Sequence, residues 1–163
     1  MTTLTFGGIY QPFTRSVNTG SSPESKRLEE RFKEIVFHFR KRAERERAFY
    51  ELDRVVKLGK QPNWDQYGAP KLEDQISRLA CRFLNALPSV IPTPEVGLDP
   101  DGEISFSWIQ SRDRQVHVSL SPQGLLSYAG LFGHTSSVHG QEPFDDSVPM
   151  PIIEAVRRLG IQV

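Results

Sequence analysis

The chain has 163 residues, with 20 Lys and Arg side chains against 20 Asp and Glu side chains, so its formal net charge is zero. This balance excludes a global attraction to nucleic acid or to an anionic membrane surface, and any such binding needs local clustering of charge. A single cysteine, Cys81, excludes an intrachain disulfide. Without a secretory leader or an apolar run of about 20 residues, the sequence predicts a cytoplasmic protein with no membrane contact.

The chain starts with a segment rich in Gly, Ser, Thr and Pro, residues 1–23, which we interpret as an extended tail and linker. Residues 24–58 are predicted to form one long helix or a pair of helices, the helical arm. Ser21 or Ser22 is its expected N-cap, and Gly59 is its expected stop. Apolar side chains at spacings of 4, 3 and 4 place one stripe along the arm: Leu28, Phe32, Ile35 and Phe39.

The centre of the arm is polar on every side, because only Ala43 is apolar between Arg40 and Arg47. A helix that is polar all round for two turns is solvated or bridges two packed ends. We therefore expect an arm whose two ends pack and whose middle is exposed, with a break near residues 40–47 as the alternative. Beyond this region an apolar stripe resumes at Phe49, Leu52 and Val56.

A turn bounded by Gly and Pro follows the arm and contains two large aromatic residues beside an acid. Trp64 and Tyr67 each carry a large apolar area, so we expect this loop to fold down onto a core. Asp65 is interpreted as a capping acid in a packed loop; the alternative is a general acid or base whose pKa is raised by burial. The structural loop residues are Asn63, Trp64, Asp65, Tyr67 and Gly68.

Residues 59–163 are predicted to form a compact α+β domain. A helix is expected at 71–87, and another at 149–159. Between them, period-2 alternation and short turns predict an antiparallel meander of three to four strands, the optional fourth strand lying in residues 130–144. One face of the meander is apolar, so the helix at 71–87 is its expected cover. The three clear strands are 103–110, 115–120 and 125–129.

Several segments between residues 60 and 159 resemble a family of small bacterial proteins that carry an Asn-Trp-Asp-x-Tyr-Gly-Ala loop. The resemblance implies a recurring bacterial module, and it implies no particular activity. It is carried by the loop at 63–69 and by these motifs: Phe83-Leu84, Leu87-Pro88, Asp101-Gly102-Glu103-Ile104, Leu126-Ser127-Tyr128-Ala129-Gly130 and Pro143-Phe144-Asp145-Asp146.

A loop rich in Gly, His and Ser follows the meander, and four residues of metal-ligand type lie in or near it: His134, His139, Asp145 and Asp146. Two histidines separated by four residues on a loop match no strong zinc spacing. We interpret the region as a solvated loop in which Asp145 or Ser147 caps the last helix. No metal or cofactor is predicted; a metal-dependent hydrolase or nuclease is the second alternative function.

The arm is the one element with unbalanced charge, since residues 24–58 hold 11 Lys and Arg against 8 Asp and Glu. Such a run can contact phosphates, although the interleaved Glu44 and Glu46 oppose this. A nucleic-acid-binding protein is therefore the first alternative function. Its contact residues would be Arg40, Lys41, Arg42, Arg45 and Arg47.

The arm carries more aromatic side chains than a lone exposed helix can hide, so some of them should meet another chain. We expect a non-enzymatic interaction protein that binds a protein partner or itself through the arm. A regulator of the type found in bacterial mobile elements, toxin–antitoxin pairs or defence systems suits this description. The predicted contact residues are Phe32, Phe37, Phe39, Arg40, Arg42, Arg45, Arg47, Phe49 and Tyr50.

Overall fold

The computed structural model describes residues 22–161. The predicted tail, apart from its last two residues, and the alternative N-cap Ser21 lie outside the described residues. The described residues divide into two units, 22–36 and 37–161. The predicted boundaries of tail, arm and compact domain stay a prediction.

The first element is one continuous helix, α1, which spans Pro23–Gly59. The chain therefore forms one long helix rather than a pair, and the alternative of a break near residues 40–47 is wrong. Ser22 caps the helix as predicted, since its Oγ accepts a hydrogen bond from the backbone N–H of Ser25 at 3.2 Å. Ion pairs four residues apart, Arg42 with Glu46 and Arg47 with Glu51, stabilise the polar centre as a solvated helix.

In the second unit, the last three turns of α1 pack onto the core. Ala48 is 1% exposed and Leu52 is 2% exposed, and Phe49 packs beside them as a half-buried residue. The helix ends where its backbone meets the next segment, since the carbonyl of Gly59 accepts a hydrogen bond from the N–H of Leu72 at 2.7 Å. A Cβ at Gly59 would lie 2.9 Å from the Cβ of Leu72, so this close approach requires glycine.

The sheet has five antiparallel strands in the order β1-β2-β3-β4-β5, which confirms the α+β meander but exceeds the predicted three to four strands. The additional strand at the start, β1, lies between the helix predicted at 71–87 and the first strand predicted at 103–110. Its alternation was hidden because the strand is short and holds a glycine, Gly97, and follows two prolines. The bounds are Glu95–Leu98 for β1, Ile104–Ser111 for β2, Arg114–Leu120 for β3, Leu125–Phe132 for β4 and Ser137–Pro143 for β5.

Two helices cover the apolar face of the sheet: α2, Asp74–Ala86, and α3, Met150–Leu159. The ring of Phe83 on α2 stacks on Phe106 of β2 with centroids 4.4 Å apart, and it meets Phe144 edge-on at 5.7 Å. Helix α3 buries Ile152, Val156 and Leu159. The expectation that the helix at 71–87 is the cover is thus correct but incomplete, because α3 shares the same face.

The proline-rich connection before β1 is fixed to the core by a buried indole. Trp108 on β2 is 2% exposed, and its Nε1–H donates a hydrogen bond to the carbonyl of Pro92 at 2.7 Å. A buried tryptophan needs such a partner for its one polar atom. Among residues 22–161, none of the helices combines the length and apolarity required to cross a bilayer.

Since the last turns of α1 form part of the core, truncating Leu52 should destabilise the fold. We expect Leu52→Ala to lower the free energy of unfolding by about 2–4 kcal/mol, measured by urea denaturation. The matched control is Leu58→Ala in the same helix, whose side chain is 46% exposed and should cost less than about 1 kcal/mol. Equal losses for the two variants would contradict this packing.

Candidate protein-interaction site

The part of α1 that lies in the first unit exposes a row of apolar side chains. Leu28 is 71% exposed, Phe32 is 67% exposed and Ile35 is 50% exposed. Their spacing of four and three residues places them on one side of the helix. We call these three residues the apolar row. The N-terminal end of the arm was expected to pack, but among the described residues its apolar side chains are exposed to solvent.

Three of the four predicted aromatic contacts in the second unit are also open. Phe37 is 42% exposed, Phe39 is 69% exposed and Tyr50 is 66% exposed. Phe49 differs, because it is half-buried and packs against the core cluster. Its ring therefore contributes to packing within the chain, whereas the other three rings remain accessible.

The arginines of the polar centre are largely engaged within the chain. Arg42 donates to Glu46 at 3.0 Å and Arg47 donates to Glu51 at 2.9 Å, both with the four-residue spacing that favours helix ion pairs. These pairs were visible in the sequence as Arg and Glu four positions apart. They reduce the positive potential that the run offers to a phosphate.

Arg45 has a structural partner that spacing does not reveal. Its guanidinium donates to the carbonyl of Leu84 at 3.0 Å and to that of Asn85 at 2.8 Å. Both carbonyls belong to the last turn of α2, where acceptors lack partners within the helix. Arg45 therefore caps α2 and fixes it to α1, a contact between residues about forty positions apart in the chain.

Lys41 stands apart from its arginine neighbours. Its Nζ atom is buried and has no hydrogen-bond partner among residues 22–161. Burial lowers the pKa of this ammonium, and the Glu44 carboxylate partly offsets that effect. Sequence reasoning grouped Lys41 with the exposed charges, since nothing in its spacing distinguishes it.

The loop after α1 is held by its own short polar side chains. The Asp65 Oδ1 accepts hydrogen bonds from the backbone N–H groups of Tyr67 and Ala69, each at 2.9 Å. The Asn63 Oδ1 accepts from the N–H of Gly68 at 2.7 Å. Asn63 and Gln66 both have positive φ, 56° and 65°. The hydrogen bonds within the loop hold the backbone in this less common conformation.

These contacts give Asp65 a structural role. The two backbone N–H groups stabilise its charged form and lower its pKa, so the alternative of a carboxyl with a raised pKa is wrong. The expectation that both rings fold onto a core is wrong for Tyr67, which is 94% exposed. Trp64 is half-buried as expected, although its Nε1–H has no hydrogen-bond partner among the described residues.

The four residues of metal-ligand type are dispersed. His134 is 92% exposed, with its Nε2 3.9 Å from a carboxylate oxygen of Asp113. His139 lies on β5 opposite Ala129 of β4 and is exposed. Asp146 pairs with Arg82 on α2. In the part of the chain that the structure describes, no group of three or more His, Cys, Asp or Glu is placed to hold a metal ion.

The expected cap of the last helix is wrong. Helix α3 starts after Pro149, which occupies the N-cap position without a side-chain hydrogen bond. The hydroxyl of Ser147 donates instead to Asp145 at 2.9 Å. Proline supplies the entry to the helix by its fixed φ, so a polar capping side chain is not needed there.

None of the known protein family models matches the chain, and neither a curated protein nor a solved structure matches it significantly. The resemblance to bacterial proteins with the Asn-Trp-Asp-x-Tyr-Gly-Ala loop stays a prediction. The function is therefore inferred from the residues and contacts of this chain.

The carboxylate of Asp65 should make stability depend on pH. Because its pKa in the folded chain is below the ordinary value of 3.8, the stabilisation is complete above 3.8 and is lost as the pH falls through the lower folded value. We expect Asp65→Asn to unfold more easily than the wild type at pH 7, with the two unfolding curves converging in acid.

The matched control is Glu73→Gln, since Glu73 precedes α2 without a side-chain capping bond. It should change the free energy of unfolding at pH 7 by less than about 1 kcal/mol, measured by chemical denaturation, since it alters only the charge at the start of the helix. A difference between Asp65→Asn and the wild type that stays constant below pH 3.8 would contradict the role of the charge.

Proposed function

We propose that this chain is a non-enzymatic interaction protein that associates with a second copy of itself through residues 23–36 of α1. The observation that carries the proposal is the apolar row, whose members Leu28, Phe32 and Ile35 are each at least half exposed. Burying such side chains removes apolar area from water, which is the main driving force of protein association.

The spacing of the apolar row suits pairing with another helix. Leu28, Phe32 and Ile35 follow the four- and three-residue steps of a heptad seam, in which side chains of two helices interdigitate. Phe39 continues the same spacing in the sequence. A helix–helix contact is therefore the geometry that this surface supports best.

The charges beside the apolar row favour a second copy as the occupant. Residues 23–36 contain four acidic and four basic side chains, so this segment has no net charge. An identical segment can approach it without net repulsion, and each acid of one copy has bases available on the other. A strongly acidic or basic partner would gain no such complementarity here.

The engagement of the arginines favours protein contact over nucleic acid. Arg42 and Arg47 pair with glutamates, and Arg45 binds backbone carbonyls. A phosphate would have to compete with each of these partners. The assignment to a regulator of the mobile-element, toxin–antitoxin or defence type stays a hypothesis about the setting of this contact.

Sedimentation equilibrium tests self-association directly. We expect the wild type to reach a mass of about twice 18.5 kDa as its concentration rises. Phe32→Ser should weaken the dimer about tenfold or more, because truncating a central apolar contact commonly costs more than about 1 kcal/mol and occurs twice in a symmetric pair.

The matched control is Glu34→Ser, which places the same residue two positions away, off the apolar row. Its loss of helix propensity is at least as large as that of Phe32→Ser, because Glu is a better helix former than Phe or Ser. It keeps the apolar row, so it should leave the dimer constant nearly unchanged. A wild type that stays monomeric at all concentrations would overturn self-association, and so would equal weakening by the two variants.

A further inference from the structure

A second feature of the molecule lies apart from the apolar row: a cavity of about 300 Å³ in the second unit. One wall is α1 from Lys41 to Ala48, and the other is the segment from Leu84 to Thr93. The bond from the Trp108 indole to the carbonyl of Pro92 fixes that segment in place. This volume is at the lower end of the range for sites that hold small molecules.

The lining of the cavity is apolar except for its cations and two hydroxyls. No acidic residue lines it, while three basic residues do: Lys41, Arg42 and Arg45. The apolar wall consists of Ala48, Leu84, Leu87, Pro88, Ile91 and Pro92. The cavity thus offers an apolar body with positive charge at one side.

Among these three cations, Lys41 lacks a hydrogen-bond acceptor. Arg42 pairs with Glu46, and Arg45 binds the carbonyls at the end of α2. The only carboxylate close to the Lys41 Nζ in the described residues is Glu44, at 3.9 Å, beyond hydrogen-bond distance. An ammonium has three donors, and burying it without acceptors costs free energy.

A neighbouring cavity shares Lys41, Ala48, Pro92 and Thr93 but is lined by charges of both signs. Three acids line it, Glu44, Glu51 and Glu95, beside Arg40, Lys41 and Arg47. An anion there would face three carboxylates as well as three cations, whereas no carboxylate of the described residues lines the first cavity. The charge pattern therefore directs an anion to the acid-free side of Lys41.

We propose that the acid-free cavity binds a small organic monoanion with an apolar body, a short aliphatic carboxylate, whose carboxylate accepts hydrogen bonds from the Lys41 ammonium. Within residues 22–161, Lys41 is the one of the three cations without a hydrogen-bond partner and matches one negative charge, and the apolar wall matches a hydrocarbon chain. A doubly charged inorganic anion would leave one charge unmatched and the apolar wall uncovered. Burial lowers the pKa of Lys41 by more than the Glu44 carboxylate raises it, which agrees with an ammonium that has no hydrogen-bonded counter-ion in the described part of the chain.

Three ligands distinguish the contribution of the negative charge from that of the hydrocarbon chain: octanoate has both, 1-octanol has only the chain, and inorganic phosphate has only the charge. Isothermal titration of the full chain should show octanoate binding about tenfold or more tightly than 1-octanol, because a charged hydrogen bond to Lys41 is worth at least about 1.4 kcal/mol. Phosphate should bind more weakly than octanoate. Octanoate should also raise the melting temperature, since a ligand of the folded state stabilises it.

Lys41→Met keeps the length of the side chain and removes its charge. We expect this variant to lose octanoate affinity about tenfold or more and to bind octanoate and 1-octanol alike. It should fold, because it removes an unpaired buried charge, and its melting temperature without ligand should be at or above that of the wild type. The matched control is Lys71→Met, an exposed lysine outside the cavity, which should bind octanoate as the wild type does.

Three results would overturn the proposal. The first is a wild type that binds no octanoate at millimolar concentration. The second is equal affinity for octanoate and 1-octanol, or for octanoate and phosphate. The third is a Lys41→Met variant with undiminished octanoate affinity. Phe32→Ser should retain octanoate binding, which distinguishes this cavity from adsorption on the apolar row.

Discussion

The need to cover one apolar face of an antiparallel sheet determines most of this structure. Alternating residues of β2, β3 and β4 place Phe106, Val118 and Leu126 on that face, and all three are fully buried. An apolar sheet face of this size is stable only when other elements remove it from water. Helices α2 and α3 supply that cover, and the end of α1 packs into the same core cluster through Ala48 and Leu52.

The packing of the helices on the sheet places arginine side chains next to backbone carbonyls at the ends of helices. The last turn of α2 presents carbonyls that have no partner within the helix, and the guanidinium of Arg45 satisfies two of them. An arginine also satisfies carbonyls in the last turn of α3, since Arg114 on β3 donates hydrogen bonds to the carbonyls of Arg158 and Leu159. Both arginines join elements through helix ends rather than through carboxylates.

The periodic segments could be predicted from the sequence because their side chains report directly on burial. Strands β2 to β4 and helices α2 and α3 each show a clear apolar alternation or stripe, so their type and approximate bounds were correct. Strand β1 was missed because Gly97 and the preceding prolines obscure its two inward residues, Val96 and Leu98. Strand β5 has only one inward-facing apolar side chain of substance, Val138, so it was no more than an option.

The site was harder to predict because its decisive contacts are distant in the chain. The exposed apolar row follows from local spacing, so its residues were identified. The absence of a hydrogen-bond partner for Lys41 among the described residues depends on which side of α1 faces the segment from Leu84 to Thr93. No local sequence pattern predicts which side that is. For Tyr67, the local sequence led to a wrong prediction, because a ring of this size suggested burial. The loop is instead closed by hydrogen bonds of Asn63 and Asp65, which do not involve the Tyr67 ring.

The order of the strands has a consequence for how copies of this protein behave at high concentration. In the described part of the chain, β1 and β5 are the outermost strands of the sheet. The outer edge of each therefore carries backbone N–H and C=O groups that no neighbouring strand of the described chain pairs with. Such ladders recruit extended segments of other molecules and start aggregates. Here β1 is four residues long and follows Pro94, while β5 ends at Pro143 and exposes polar Ser137, His139 and Gln141. Short length, proline and polar side chains discourage growth of the sheet from either side.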